Sequence, residues 1–257
     1  MNYFQSLTLV QTLASMKLKS EASRLVLSYL WWIIEPVLFV AMFYFVFDVL
    51  LGTGRGDFVV FLIVGKIPFL WFSKSINSSA NSLVSAMGIM GQRDFPKHVF
   101  PYVVVQQNTH KQIVVFCLLI IVLIFMGYVP SLNWLYLLPV VLVNYLLILP
   151  LSMIAALLVV YLRDFRMVIN LGTTFLMFAS GIFWDVRSFA SAETQRLLLT
   201  YNPLAFLLDA YRQVLMYSAV PDLHHLAWIG VISLLALFLV HMIFNSLSQL
   251  IARKVIS

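Results

Sequence analysis

The chain has 257 residues, of which 62% are hydrophobic and only 10% charged, with a mean hydropathy of +0.98. A soluble domain would carry roughly 25% charged residues, so the composition excludes a soluble enzyme and indicates a polytopic membrane protein. The net charge of +6 does not mark a nucleic-acid surface, because the basic residues fall between apolar runs, where membrane topology accounts for them.

In residues 1–28, Phe4, Leu7, Val10, Leu13 and Leu18 recur at helical intervals, with Lys17, Lys19 and Arg24 following. That spacing predicts an amphipathic helix on the membrane surface. No basic region followed by a compact apolar core and cleavage site is present, so no cleaved signal peptide is expected. The first span is predicted over 31–51 and carries Glu35 beside Pro36. Glu35 lies about 9 Å along a helix axis from Tyr29, short of a midplane about 15 Å deep. The turn "GTGRGD" leads to "FVVFLIVGKIPFLWF", whose 15 apolar-rich residues give only about 22 Å of helix. Beyond it Ser73, Asn77, Asn81 and Ser85 recur every four residues. We read one long tilted helix from Phe58 to about Ala86, its polar stripe turned toward protein or water.

A basic, proline-punctuated segment, "GQRDFPKHVFPYVVVQQNTHKQ", precedes a third span over 113–128, extended backwards through "QQNTHKQ". The fourth span covers 134–162 with Pro139 and Pro150, and the fifth 167–184. The connection 185–224 contains "LAFLLDAYRQVLMYSAV", too short to cross with Asp209 and Arg212 inside it. A re-entrant element buried in protein fits that pattern. A sixth span covers 226–247. With both termini cytoplasmic, Lys17, Lys19, Arg24, Arg93, Lys97, Lys111, Arg163, Arg166, Arg253 and Lys254 lie inside. Only Arg55, Arg187, Arg196 and Arg212 then lie outside, as the positive-inside rule requires. The fold class is therefore all-α, one transmembrane domain over 1–257 with six spans.

Absences narrow the function. There is no G-x-x-x-x-G-K-[ST], so no phosphate-cradling loop for ATP, and no H-E-x-x-H or C-x-x-C metal pattern. The single Cys117 excludes a disulfide framework. His224 and His225 read as interface imidazoles and His241 as a packing residue. Neither D-x-D nor H-x-x-x-x-D occurs, which counts against a membrane-embedded transferase acting on a lipid-linked sugar. Scarce intramembrane carboxylates (Glu35, Asp48, Asp209) count against a proton-coupled flippase. Tyr and Trp rings, abundant here, suit both interface belts and a path for sugars.

Four motifs occur in order between the predicted spans: "LSYLWWIIEPVLF" at 27–39, "FPKHVFPYVVV" at 95–105, "YLRDFRMVINLGTTFLMFASGIFW" at 161–184 and "YNPLAFLLDAYRQ" at 201–213. Together they resemble the permease subunit of type-2 ABC exporters of bacterial surface polysaccharide, the O-antigen and capsular exporters. "Glu-Pro" at 35–36 resembles the capsular branch and "FPKHVFP" the O-antigen branch, so the cargo subclass stays open, as do teichoic acid, lipid or drug cargo. The resemblance implies a homodimer in the bacterial inner membrane and two separate ATPase subunits that bind ATP and Mg, with no cofactor in this chain. It implies an interface helix over about 1–24 and a coupling segment over 91–101 with Arg93, Asp94, Phe95, Pro96 and Lys97. An outer gate of short re-entrant helices is implied over 185–218. Arg24, Lys17 and Lys19, with Glu35, are the expected entrance for a polyprenyl pyrophosphate head. Trp32, Tyr44, Lys66, Asn77, Asn81, Phe183, Trp184, Tyr201, Asn202 and Pro203 are the expected channel or gate residues.

Overall fold

The computed structural model describes residues 3–24, 34–35, 37–38, 41–42, 44–50, 52, 57–90, 96–188 and 191–256. Every regular element among them is helical. Helix α1 covers Tyr3–Arg24, and α2 covers Phe58–Ala80. They are followed by α3 (Val99–Phe125), α4 (Leu137–Tyr161) and α5 (Phe165–Ala179). The chain continues through α6 (Ala192–Tyr201), α7 (Pro203–Leu215), α8 (Leu223–Ser246) and α9 (Ser248–Ile256). Among the described residues, four stretches are long and apolar enough to cross a membrane: α2, α3, α8, and α4 with its 3-10 lead-in, Leu132–Tyr161. The chain is thus a multi-pass membrane protein.

Helix α2 sits at the centre, packed against α3, α4, α5 and α7. It and α4 bury small hydroxyl residues, Ser75, Ser79 and Ser152, which allow backbones to approach closely. Around them Trp71, Phe116, Tyr145 and Tyr211 stack or meet edge to face in the main core. A second core gathers Leu83, Phe100, Met153, Phe244 and Ile251 where α3, α4, α8 and α9 converge. Helix α8 keeps a broad apolar face exposed, including Ile232, Leu235, Phe238 and Leu239, as expected of a face turned to lipid.

Several expectations need adjusting. Part of the first predicted span, with Trp32 and Pro36, lies outside the described residues; its described portions are helical and end in a π-helical stretch, Phe45–Leu50. The continuous second helix stops at Ala80, not near Ala86. At Asn81 the backbone reaches φ −94°, ψ 0°, and a separate turn, Ser82–Ser85, follows. Helix α3 runs through 106–112, as the backward extension of the third span expected, and begins seven residues earlier still, at Val99. Nothing between Pro101 and Gly127 breaks it, and Pro101 sits in the first turn, where a missing N–H leaves no intrahelical bond unmade. Helix α5 has only 15 residues, below the roughly 20 needed to cross. It stops because Gly181, at φ +73°, supplies the left-handed backbone that closes helix ends. The short helix α9 carries Arg253 and Lys254 in its last turn, where cations complement the helix dipole; no helix was expected there.

Helix α1 packs on α3, with Ala14 buried against Val99 and Val103 and Leu9, Val10 and Leu13 around them. Its apolar spacing is therefore met in part by protein.

Candidate functional site

The connection after α5 folds into a buried polar clamp. Asn202 caps α7, its Oδ1 accepting from the amides of Leu204 and Ala205 at 3.1 Å each, and Pro203 occupies the first helical turn. That pairing follows from the local sequence, since asparagine satisfies orphan amides and proline needs none. Asn202 Nδ2 also donates to Ala179 O and Ser180 Oγ at 3.2 Å each, fastening α7 to the end of α5. Every residue from Leu204 to Leu215 is buried.

Within α7, Asp209 is 3% and Arg212 2% exposed. Charges so deep need partners. Arg187 grips Asp209 bidentately, Nε to Oδ1 at 3.1 Å and Nη2 to Oδ2 at 3.0 Å. Gln213 donates to the same carboxylate at 2.6 Å. The hydrogen bond to Asp209 holds the Arg187 guanidinium above its ordinary pKa. Arg212 donates to the carbonyls of Phe61 at 3.3 Å and Ile182 at 3.2 Å, and its guanidinium carbon lies 3.5 Å from the Phe61 ring centroid. That placement combines carbonyl bonds with a cation–π contact. It requires Gly65, where an added Cβ would stand 2.3 Å from Arg212 Nη2.

The polar stripe of α2 turns toward α5. Asn77 Nδ2 donates to Thr173 Oγ1 at 2.9 Å and to Ser73 O at 2.8 Å. About three turns earlier along α2, Lys66 is buried, its Nζ 3.0 Å from Met177 Sδ and 5.2 Å from the Phe69 ring centroid. Thr173 is the buried residue of α5, whereas Met167, Leu171 and Phe175 are exposed on its other side. Lys74 forms an ion pair with Glu35, so the carboxylate in the first apolar run has a basic partner.

The structure brings some expected residues together and separates others. Lys66, Asn77, Phe183, Trp184, Asn202 and Pro203 lie along the α2, α5 and α7 group. The Phe183 ring packs on Phe178 at 5.3 Å, and Trp184 Nε1 donates to Phe178 O at 2.8 Å. Tyr201 is 79% exposed, and Asn81 sits half-buried at the α2 break. Tyr44 is exposed within the first apolar run. Lys17 and Lys19 are exposed on α1, and Arg24 ends that helix, its side chain outside the described residues. Arg93, Asp94 and Phe95 also lie outside them; Pro96 is half-buried and Lys97 only 4% exposed. Beside Lys97, the His98 and His241 rings stand 4.4 Å apart. Burial first, and the neighbouring His241 second, push the His98 pKa down to about 4.

Arg187, Gln213 and Gly65 escaped the sequence reading as site residues. The usable signal was Asp209, Arg212 and Gln213 within one turn of a short apolar helix, a set that demands partners. Nothing in the sequence said that the partners would be Arg187 and the backbone facing Gly65.

The family model described as ABC-2 type transporter matches residues 8–216. A protein of Klebsiella pneumoniae named O-antigen export system permease protein RfbA is 25% identical over 217 residues, covering 84% of this chain and 82% of that one. A second Klebsiella pneumoniae protein of the same name is 26% identical over the same shares. A Myxococcus xanthus protein so named is 24% identical over 252 residues, covering 98% of this chain and 97% of its relative.

Proposed function

Because the chain belongs to the ABC-2 type transporter family, we propose that it is the permease of an ATP-driven exporter carrying lipid-linked surface polysaccharide across the bacterial inner membrane. The observation that carries the cargo assignment is the end-to-end similarity to proteins named as O-antigen export permeases, over 98% of this chain in the Myxococcus case. Two copies of the permease enclose the channel, each with six spans and both termini cytoplasmic. ATP and Mg are bound by two separate subunits, since the chain carries no phosphate-cradling loop of its own.

In this reading the ATPase subunits push on segment 91–101, with Arg93, Asp94, Phe95, Pro96 and Lys97 at the contact. The burial of Lys97 gives it the task of holding that segment's shape against the protein. A polyprenyl pyrophosphate head approaches the cytoplasmic entrance and pairs with Arg24, then Lys17 or Lys19, through charge-assisted hydrogen bonds. The sugar chain passes along the polar stripe of α2 that meets α5 at Asn77 and Thr173. The clamp around α7 supports an outer gate: a short helix this well anchored keeps its place while its neighbours move.

Affinity purification of the tagged chain tests the assignment, with an ATPase subunit expected to accompany it. Arg24→Glu should then reduce surface polysaccharide with the protein level intact. Purification without any ATPase, or full export by the variant, would remove the corresponding part of this reading.

A further inference from the structure

Segment 91–101 is flanked on both sides by contacts to the corner where α8 passes into α9. Ala86 stands just before the segment and Phe100 near its end. Both are buried in one apolar cluster with Val240 and Phe244 of α8 and Ile251 of α9. Helix α9 also packs on the turn Met87–Met90, which leads into the segment. From the segment's far end, the His98 ring stands 4.4 Å from the His241 ring on α8.

The joint between α8 and α9 is stiff. The backbone turns at Leu247, with φ −92° and ψ 4°, yet the helical ladder of hydrogen bonds crosses the turn. Leu247 N donates to Ile243 O and Ile251 N donates to Leu247 O, each at 2.9 Å. Both are bonds from residue i to i−4, as inside an α-helix, so a displacement of α9 passes to α8 instead of being absorbed at the bend. Ile251 is fully buried. An interior packed as densely as an organic crystal transmits strain, so the neighbours of Ile251 do not shift independently of it.

We propose that Ile251 is a positioning residue for coupling: it locks α9, and with it α8, onto both ends of segment 91–101. The push of the ATPase subunits then reaches α8, a span remote from the segment in the chain, as well as α2 and α3, which the chain joins to it. The inference rests on the reading of 91–101 as the ATPase contact. A residue that only fills the core changes stability alike with and without nucleotide. A positioning residue changes what nucleotide does to α8.

The test uses the full permease bound to its ATPase subunits in detergent, with amide hydrogen exchange read by mass spectrometry in the nucleotide-free and vanadate-trapped states. In the native complex, trapping should alter exchange across residues 240–251. Ile251→Ala should reduce that response roughly fivefold while the ATPase subunits stay bound and the response at the start of α3 remains. Export per ATP hydrolysed should fall with it, and Ile251→Val should restore both. An Ile251→Ala complex with an unchanged response across 240–251 would overturn the inference, whatever its export level. So would a native complex in which nucleotide alters α3 but not α8, a result that needs no variant to fold. ATPase subunits that fail to accompany the native chain would instead remove the reading of segment 91–101, and this inference with it.

Discussion

At Gly65 the guanidinium of Arg212 fills the space that any side chain would need. Gly65→Ala must displace Arg212 from the carbonyls of Phe61 and Ile182, so we expect a loss of about 1–3 kcal/mol, the usual range for overpacking. Thermal unfolding of the purified chain in detergent measures it, and an unchanged midpoint would refute the close approach. Asp209→Asn keeps the shape but gives up the charge that Arg187 grips. With Arg187 half in solvent, at 51% exposure, the expected cost is about 2 kcal/mol, set by the buried carboxylate's lost partners more than by the exposed guanidinium. Adding Arg187→Gln should then cost little more, because the two changes remove one interaction; a double-mutant cycle checks this. The sequence announced Asp209 and Arg212 by placing charge in an apolar segment, but not Gly65. Its partner is 147 positions away, and glycine carries no side chain whose chemistry could point there.

Elements were legible where apolar length and breakers agreed. Helices α2, α3, α4 and α8 follow from apolar runs bounded by glycine, proline or charge, and the short buried α7 follows from Asn202, Pro203 and its internal charges. Helix ends were harder. The polar run from Gln106 to Gln112 continues α3, as the backward extension of the third span expected, because polar residues without a breaker cost a helix little; the start of that helix at Val99 was not foreseen. The end of α5 at Gly181 depended on a left-handed backbone that composition alone does not specify. At α7, Asn202→Ala should destabilise by about 1 kcal/mol through the lost cap, with a further decrease from its bonds to Ala179 and Ser180; unfolding measurements that show no loss would contradict the clamp. At the start of α3, His98 faces His241 and the Tyr102 ring. Its folded pKa near 4 lies below the ordinary 6.5, so the folded state resists a proton that the unfolded chain accepts. Stability from this site is present above about pH 6.5 and is lost as pH falls toward 4. Unfolding midpoints across that window should fall, and His98→Asn should flatten the part of the decline that belongs to this imidazole.

Across the molecule, an all-α membrane permease was readable from hydropathy, charge placement and four ordered motifs, and the family match over residues 8–216 agrees with it. The layout around the site was less so. The meeting of α2 and α5 through Asn77 and Thr173 joins residues 96 positions apart, and the periodicity of α2 told only that its polar side needed a partner. The central claim is that this chain moves lipid-linked polysaccharide from the cytoplasmic to the outer face of the inner membrane. The most direct measurement compares surface polysaccharide with intracellular lipid-linked polymer in a strain lacking the chain and in the same strain complemented with it. The account predicts loss of the surface polymer, its accumulation inside on the lipid carrier, and reversal of both on complementation. Surface polysaccharide at the normal level without the chain would contradict it.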